Sequence, residues 1–152
     1  MSEIRTEFLF TITITVETPL VVGAIPLGER RIVQITGGHF EGPRLRGTVL
    51  PGGSDWILRR ADDALQLDVR ASLRTEDGAL VNMLYRGLRH GPREVIERLD
   101  RGEPVDPSEY YFRTAPSFET SAPAYLWLNK IVAIATGRRV PAGPIYRVFE
   151  IL

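Results

Sequence analysis

Leu65-Gln66-Leu67-Asp68-Val69-Arg70-Ala71-Ser72-Leu73-Arg74 is the stretch that decides the fold. Apolar side chains alternate with polar ones along it, the period of a strand with one buried face. Thr75-Glu76-Asp77-Gly78 follows, and an Asp-Gly pair suits the positive φ angles of a tight hairpin turn. The return strand is expected from Ala79 to Arg89. Upstream, Phe8, Phe10, Ile12, Ile14 and Val16 fall on one face and Thr11, Thr13 and Thr15 on the other, so 7–17 reads as a strand rich in β-branched residues. Further strands are expected over 31–37, 45–50, 56–60, 110–118, 125–136 and 145–151, punctuated by Gly37-Gly38, Gly42-Pro43, Pro51-Gly52-Gly53 and Gly143-Pro144. One segment breaks the pattern. Residues 92–102 place Pro92 at a helix start, Gly102 at its end, and Val95, Ile96 and Leu99 on one face, which predicts one short helix capping or plugging the structure.

Eight to ten strands joined by hairpins predict an all-β fold, an antiparallel barrel or sandwich. A barrel removes exposed strand edges, and one of about eight strands can hold side chains or one small ligand. Function is therefore expected in the barrel mouth.

Composition bounds the partners. The chain has 152 residues, 43% of them hydrophobic, which is the size of one domain and predicts a single unit over 1–152. Nineteen basic residues balance nineteen acidic ones, which argues against a nucleic-acid binder. Eighteen of the nineteen are arginines scattered along the chain. The lack of cysteine excludes disulfides, thiolate catalysis and cysteine-ligated metals. No apolar run approaches the ~20 residues of a membrane helix, and Met1-Ser2-Glu3-Ile4-Arg5 does not start like a signal peptide. A soluble, cytoplasmic protein is expected.

Three stretches concentrate chemistry. Residues 37–56 collect His39, Glu41, Asp55 and Trp56 among glycines that also suit tight barrel corners. Residues 110–120 bring Tyr111, Arg113 and Glu119. In 125–130, read as strand, Tyr125, Trp127 and Asn129 share one face, which suits a pocket wall, an oligomer interface or plain packing. His39 and His90 form no metal-binding pair, and no serine elbow, phosphate loop or dinucleotide fingerprint occurs. No metal or cofactor is expected. What remains is acid–base chemistry. A carboxyl group in an apolar pocket has a raised pKa and works near neutral pH, with Tyr, Asn or Arg polarising a substrate oxygen. Asp55 is the first candidate for general acid or base, followed by Glu119 and Glu41. Tyr85, Arg113, Tyr125 and Asn129 are candidate polarisers, and Trp56 and Trp127 candidate walls.

The motif G-G-x-F-E-G-P-x-L-R-G-x-V-L-P-G-G-x-D-W at 37–56 resembles the uncharacterised bacterial protein family 0311, also called domain of unknown function 3237. R-A-S-L-R-T-E-D-G-A at 70–79, Y-Y-F-R-T-A-P-S-F-E-T at 110–120 and Y-x-W-L-N at 125–129 fit the same family in order. The resemblance implies a calycin-like, up-and-down antiparallel β-barrel, commonly a homo-oligomer, and a pocket that includes Glu41, Asp55, Trp56, Arg70, Arg113, Thr114, Glu119, Tyr125, Trp127 and Asn129. It implies no activity. Three functions follow as expectations: a cofactor-independent isomerase, hydratase or lyase acting on a partly apolar carbonyl or carboxylate compound; a non-catalytic binder of a hydrophobic metabolite; or an oligomerisation module.

Overall fold

The computed structural model describes residues 3–152; Met1 and Ser2, the start of the N-terminal stretch read above, lie outside them. Ten strands form one antiparallel sheet: β1 (Thr6–Val16), β2 (Leu20–Ile25), β3 (Gly28–Glu41), β4 (Arg46–Val49), β5 (Ser54–Arg59), β6 (Leu65–Thr75), β7 (Leu80–His90), β8 (Tyr111–Glu119), β9 (Val132–Val140) and β10 (Gly143–Ile151). One α-helix, α1 (Arg93–Asp100), and two 3-10 helices, Pro107–Glu109 and Pro123–Lys130, complete the described residues.

The sheet closes on itself. β6 to β10 follow one another as a meander, β10 pairs with β1, and β1 pairs with β3 through Thr11↔Glu41 to Val16↔Ile35. β4 and β5 both bridge β3 and β6 and run in the same sense, with Val49↔Leu73 continued by Ser54↔Arg70. They act as one strand broken by a corner, so the ring has eight positions. At that corner Gly52 takes φ +110°, and a side chain on Gly53 would strike the Arg70 carbonyl, which is why two glycines stand there. The result is an all-β, up-and-down barrel, one of the two architectures that the alternation predicts and the one that the resemblance implies.

Strand alternation fills the interior unevenly. Leu65, Leu67, Val69, Ala71 and Leu73 of β6 all point inward, which puts Asp68 and Arg70 on the outer face. One end is packed solid around Phe10, whose ring lies 5.5 Å from Phe40 and 5.9 Å from Phe118. Leu128, fully buried, packs into the same core. On β9 the inward residues are small: Ala133, Ala135 and Gly137. A side chain on Gly137 would press within 2.9 Å of Phe112 and 3.0 Å of Tyr146, so the bare backbone there makes room for two rings.

Three expectations from the sequence are corrected. Residues 125–130 are not strand: they form the 3-10 helix Pro123–Lys130, and β9 begins only at Val132. Pro123 starts the helical turn, and Asn129 fastens it by accepting from the Thr120 amide at 2.9 Å and donating to the Thr120 carbonyl at 2.8 Å. Phe8 leaves the inward face of β1, because the ladder slips between Phe8 and Phe10 and Leu9 is buried instead. β2 was not foreseen. Its sequence, Leu-Val-Val-Gly-Ala-Ile, does not alternate, and its register shifts between Val21 and Gly23. α1 forms where expected, burying Val95 and Leu99.

Phe10→Ala should destabilise the protein by about 3–5 kcal/mol and Gly137→Ala by about 1–3 kcal/mol, through a cavity in the first case and overpacking in the second. Equilibrium urea unfolding of the two variants measures both.

Candidate active site

The end of the barrel away from the aromatic plug is open. It holds a cavity of about 410 Å³ whose walls come from β1, β3, β5 to β10 and the last turn of α1. That volume lies in the range of small-molecule sites.

Asp55 is the central group. It lies on the inward face of β5, with Val33 its cross-strand neighbour on β3 and Val69 on β6. Both neighbours are aliphatic, so the carboxylate meets little to solvate it. Burial pushes its pKa from 3.8 up to about 7, against the opposing pull of the Asp68 amide, which donates to Asp55 Oδ1 at 3.2 Å, and of Arg89. Among the described residues Asp55 forms no ion pair within 4.0 Å.

Tyr85 pairs with Val69 from the other side, which places Asp55, Val69 and Tyr85 across three adjacent strands. The Tyr85 ring meets Tyr146 of β10 edge-on at 5.1 Å, and Tyr146 meets Phe112 at 5.3 Å. Both phenols are buried, and burial above all raises both above the ordinary tyrosine value. They stay protonated and keep their O–H groups as donors. Three arginines, Arg31, Arg89 and Arg139, complete the polar lining, with Glu17 and Asp100 as the other acids. Asp100 lies 4.0 Å from Arg59 Nη2.

This arrangement can move protons. A carboxyl group that titrates near neutrality can give or take one, and neutral phenols can hydrogen-bond a developing oxyanion.

Of the residues singled out in the sequence, the structure brings Asp55 and Tyr85 together in the cavity. The others lie elsewhere. Trp56 follows Asp55 on the strand and so points outward, half exposed, its indole donating to Ser54 Oγ at 3.2 Å. Glu41 is exposed at the end of β3, opposite Arg46, and His39 is exposed near it. Glu119 accepts from Asn82 at 2.6 Å on the outer face. Tyr125 donates to Asp77 at 2.9 Å and clasps the β6–β7 turn. Trp127 packs against the core with the Arg44 guanidinium 3.5 Å over its ring. Asn129 latches its own 3-10 helix. Arg113 lies in an outer cleft with Arg138 and Arg147.

Arg31, Arg89, Arg139 and Tyr146 were not singled out. A signal existed for some of them. Extending the inward alternation of β7 through Val81, Met83 and Tyr85 reaches Arg89, and that of β9 through Ala133, Ala135 and Gly137 reaches Arg139.

The raised Asp55 pKa fixes a pH dependence of stability. Between 3.8 and about 7 the folded protein holds a proton that the unfolded chain has released, so stability falls as pH rises through this window and levels off above it. Asp55→Asn should therefore be near-neutral at pH 4 and stabilising by a few kcal/mol at pH 8. Chemical denaturation of both proteins at the two pH values checks this.

Comparison with known proteins places the fold in a family. The family model described as protein of unknown function (DUF3237) matches residues 4–151. The UPF0311 protein RPA1785 of Rhodopseudomonas palustris is 38% identical over 149 residues, covering 98% of this chain and 97% of the relative. The crystal structure of RPA1785 superimposes with a TM-score of 0.96 at 37% identity, covering 100% of both chains. A more distant relative, the hydroalkoxylation enzyme phnH of Penicillium herquei, is 28% identical over 130 residues, covering 86% of this chain and 72% of the relative. The crystal structure of an enzyme from Penicillium herquei shares the fold, with a TM-score of 0.76 at 22% identity over 100% of this chain and 97% of that one. With its family model matched over nearly the whole chain and a barrel shared along its full length, this protein belongs to the DUF3237 (UPF0311) family.

Proposed function

We propose that the protein is a cofactor-independent acid/base enzyme that moves a proton on a small, partly apolar compound bearing a carbonyl or carboxylate oxygen. One observation carries the reading: Asp55, without an ion-pair partner among the described residues and flanked across the strands by Val33 and Val69, is held at a pKa of about 7 inside the cavity. A structural carboxylate is normally paired, and pairing lowers its pKa. An unpaired one near neutrality is poised for proton transfer. Tyr85 and Tyr146 would donate to the substrate oxygen as it gains charge.

The relative named a hydroalkoxylation enzyme supports this class. Hydroalkoxylation adds an alcohol O–H across a carbon–carbon double bond. One proton leaves oxygen and one reaches carbon, with no net oxidation, so a single carboxyl group that shares a cavity with two phenols supplies what such a step needs. Isomerisation, hydration and elimination make the same demand.

The test is turnover. Carbonyl, enol and hydroxy-alkene compounds are incubated in D2O with the protein, and deuterium uptake and product formation are followed by mass spectrometry. The wild type should act on at least one of them, with kcat/KM bending near pH 7. Asp55→Asn should lower the rate about 10²–10⁴-fold. Trp56→Ala and Glu119→Gln, on the outer face, should leave it unchanged. Equal rates in the wild type and Asp55→Asn would sink the proposal, and saturable binding without any turnover would assign the cavity to carriage instead.

A further inference from the structure

Arg89 presents a problem that the proton-transfer reading does not solve. It points into the barrel from β7, is 8% exposed, and its Nε is buried with no hydrogen-bond partner. A buried guanidinium without a partner is costly, and natural structures rarely leave one so. No acid among the described residues lies within 4.0 Å of it. The other two guanidiniums in the cavity, Arg31 and Arg139, likewise have no ion-pair partner among the described residues, and one Arg139 Nη donates to the adjacent Val140 carbonyl. Asp55 feels the Arg89 charge but is not ion-paired with it, and below about pH 7 it carries a proton. Asp100 lies beside Arg59. Burial, then the nearby Arg139 charge, hold Arg89 below its ordinary pKa. Three arginines share this cavity with Glu17 and Asp100, and none of the three is ion-paired among the described residues, so with Asp55 protonated positive charge is in excess there.

We infer that the occupant of this cavity carries a carboxylate, which the Arg89 guanidinium receives with Arg139 beside it, while the apolar remainder of the molecule points down the barrel toward Asp55 and Tyr85. This rests on the reading that the cavity is the working site.

The geometry favours this arrangement. A guanidinium offers pairs of parallel N–H donors at the spacing of the two oxygens of a carboxylate. Arg89 stands four residues along β7 from Tyr85, its backbone about 13 Å farther toward the α1 side of the cavity, while its charge still acts on Asp55 and Tyr146. Between Arg89 and the proton-transfer groups the wall is apolar, built from Val33, Ile57, Leu67 and Phe112. The Phe112 ring lies 5.6 Å from the Arg89 guanidinium carbon. A molecule with one charged end and an unsaturated or aromatic body matches the guanidinium and the wall. In this pose the carboxylate is a handle, and Arg89 and Arg139 are binding residues.

Isothermal titration calorimetry at pH 6 tests the inference, with phenylacetate, cinnamate and octanoate each compared with its own primary amide. The acids should bind roughly 10- to 100-fold more tightly than the amides. Arg89→Gln should abolish that preference and Arg139→Gln should weaken it. Arg86→Gln, on the outer face of the same strand, should leave it intact. Amides that bind as well as acids, or acids that fail to bind the wild type at 10 mM, would overturn the inference; both are read on the wild type, so neither depends on a variant folding. The outcome is separable from the proton-transfer reading. Acid preference with turnover unaffected by Asp55→Asn would remove that reading and leave this one standing, and Asp55-dependent turnover of neutral compounds alone would do the reverse.

Discussion

The ladder between β1 and β3 closes the sheet, and closure constrains everything inside it. Once the ring is shut, every second side chain of every strand points into the same limited volume. At one end that volume is consumed by Phe10, Phe40 and Phe118. At the other the inward positions carry aliphatic residues and a few long polar ones, and the space between them remains open. The corner at Gly52-Gly53 belongs to the same scheme. By breaking β4 from β5 it lets one line of chain serve both ends of the barrel, and it sets Asp55 two residues beyond the break, facing in.

Chemical character follows from that placement. A carboxyl group between two valines is poorly solvated, and its proton is held to about pH 7. The same burial keeps Tyr85 and Tyr146 protonated and leaves the Arg89 Nε without a hydrogen-bond partner. Acid, phenols and guanidinium are thus set by one environment, and the acid and the guanidinium are costly to the folded protein. Such costs are typically retained where a ligand or a reaction offsets them. Gly137 contributes at a distance: its bare backbone seats the Phe112 and Tyr146 rings, and so fixes where the Tyr146 hydroxyl stands.

The strands that alternate cleanly were legible. β6 and β7 with their Asp-Gly turn, most of β1, and α1 with its flanking Pro92 and Gly102 lie where the pattern places them. β2 was not legible, since a strand added outside the ring with a register shift has no reason to alternate. The residues from Tyr125 to Asn129 misled for the opposite reason. Their apolar residues alternate by chance with period two, while Pro123 and the Asn129 side chain commit the backbone to a 3-10 turn. The candidate site divided along the same line. Asp55 and Tyr85 reach the cavity, whereas Tyr125, Asn129 and Trp127 hold a helical turn in place and Trp56, Glu41, Glu119 and Arg113 face outward.

The sequence by itself determined the fold class, the hairpin at its centre, and Asp55 as the first carboxyl group to consider, because those follow from local alternation, turn chemistry and residue type. Tertiary structure alone decided that Asp55 shares a cavity with Tyr146 and Arg139, from strands more than eighty residues away in the chain, and that Trp56 does not join them. The physical reason is that strand alternation assigns a residue to one of two faces, and only barrel closure makes one of those faces an interior and says which end of it stays open.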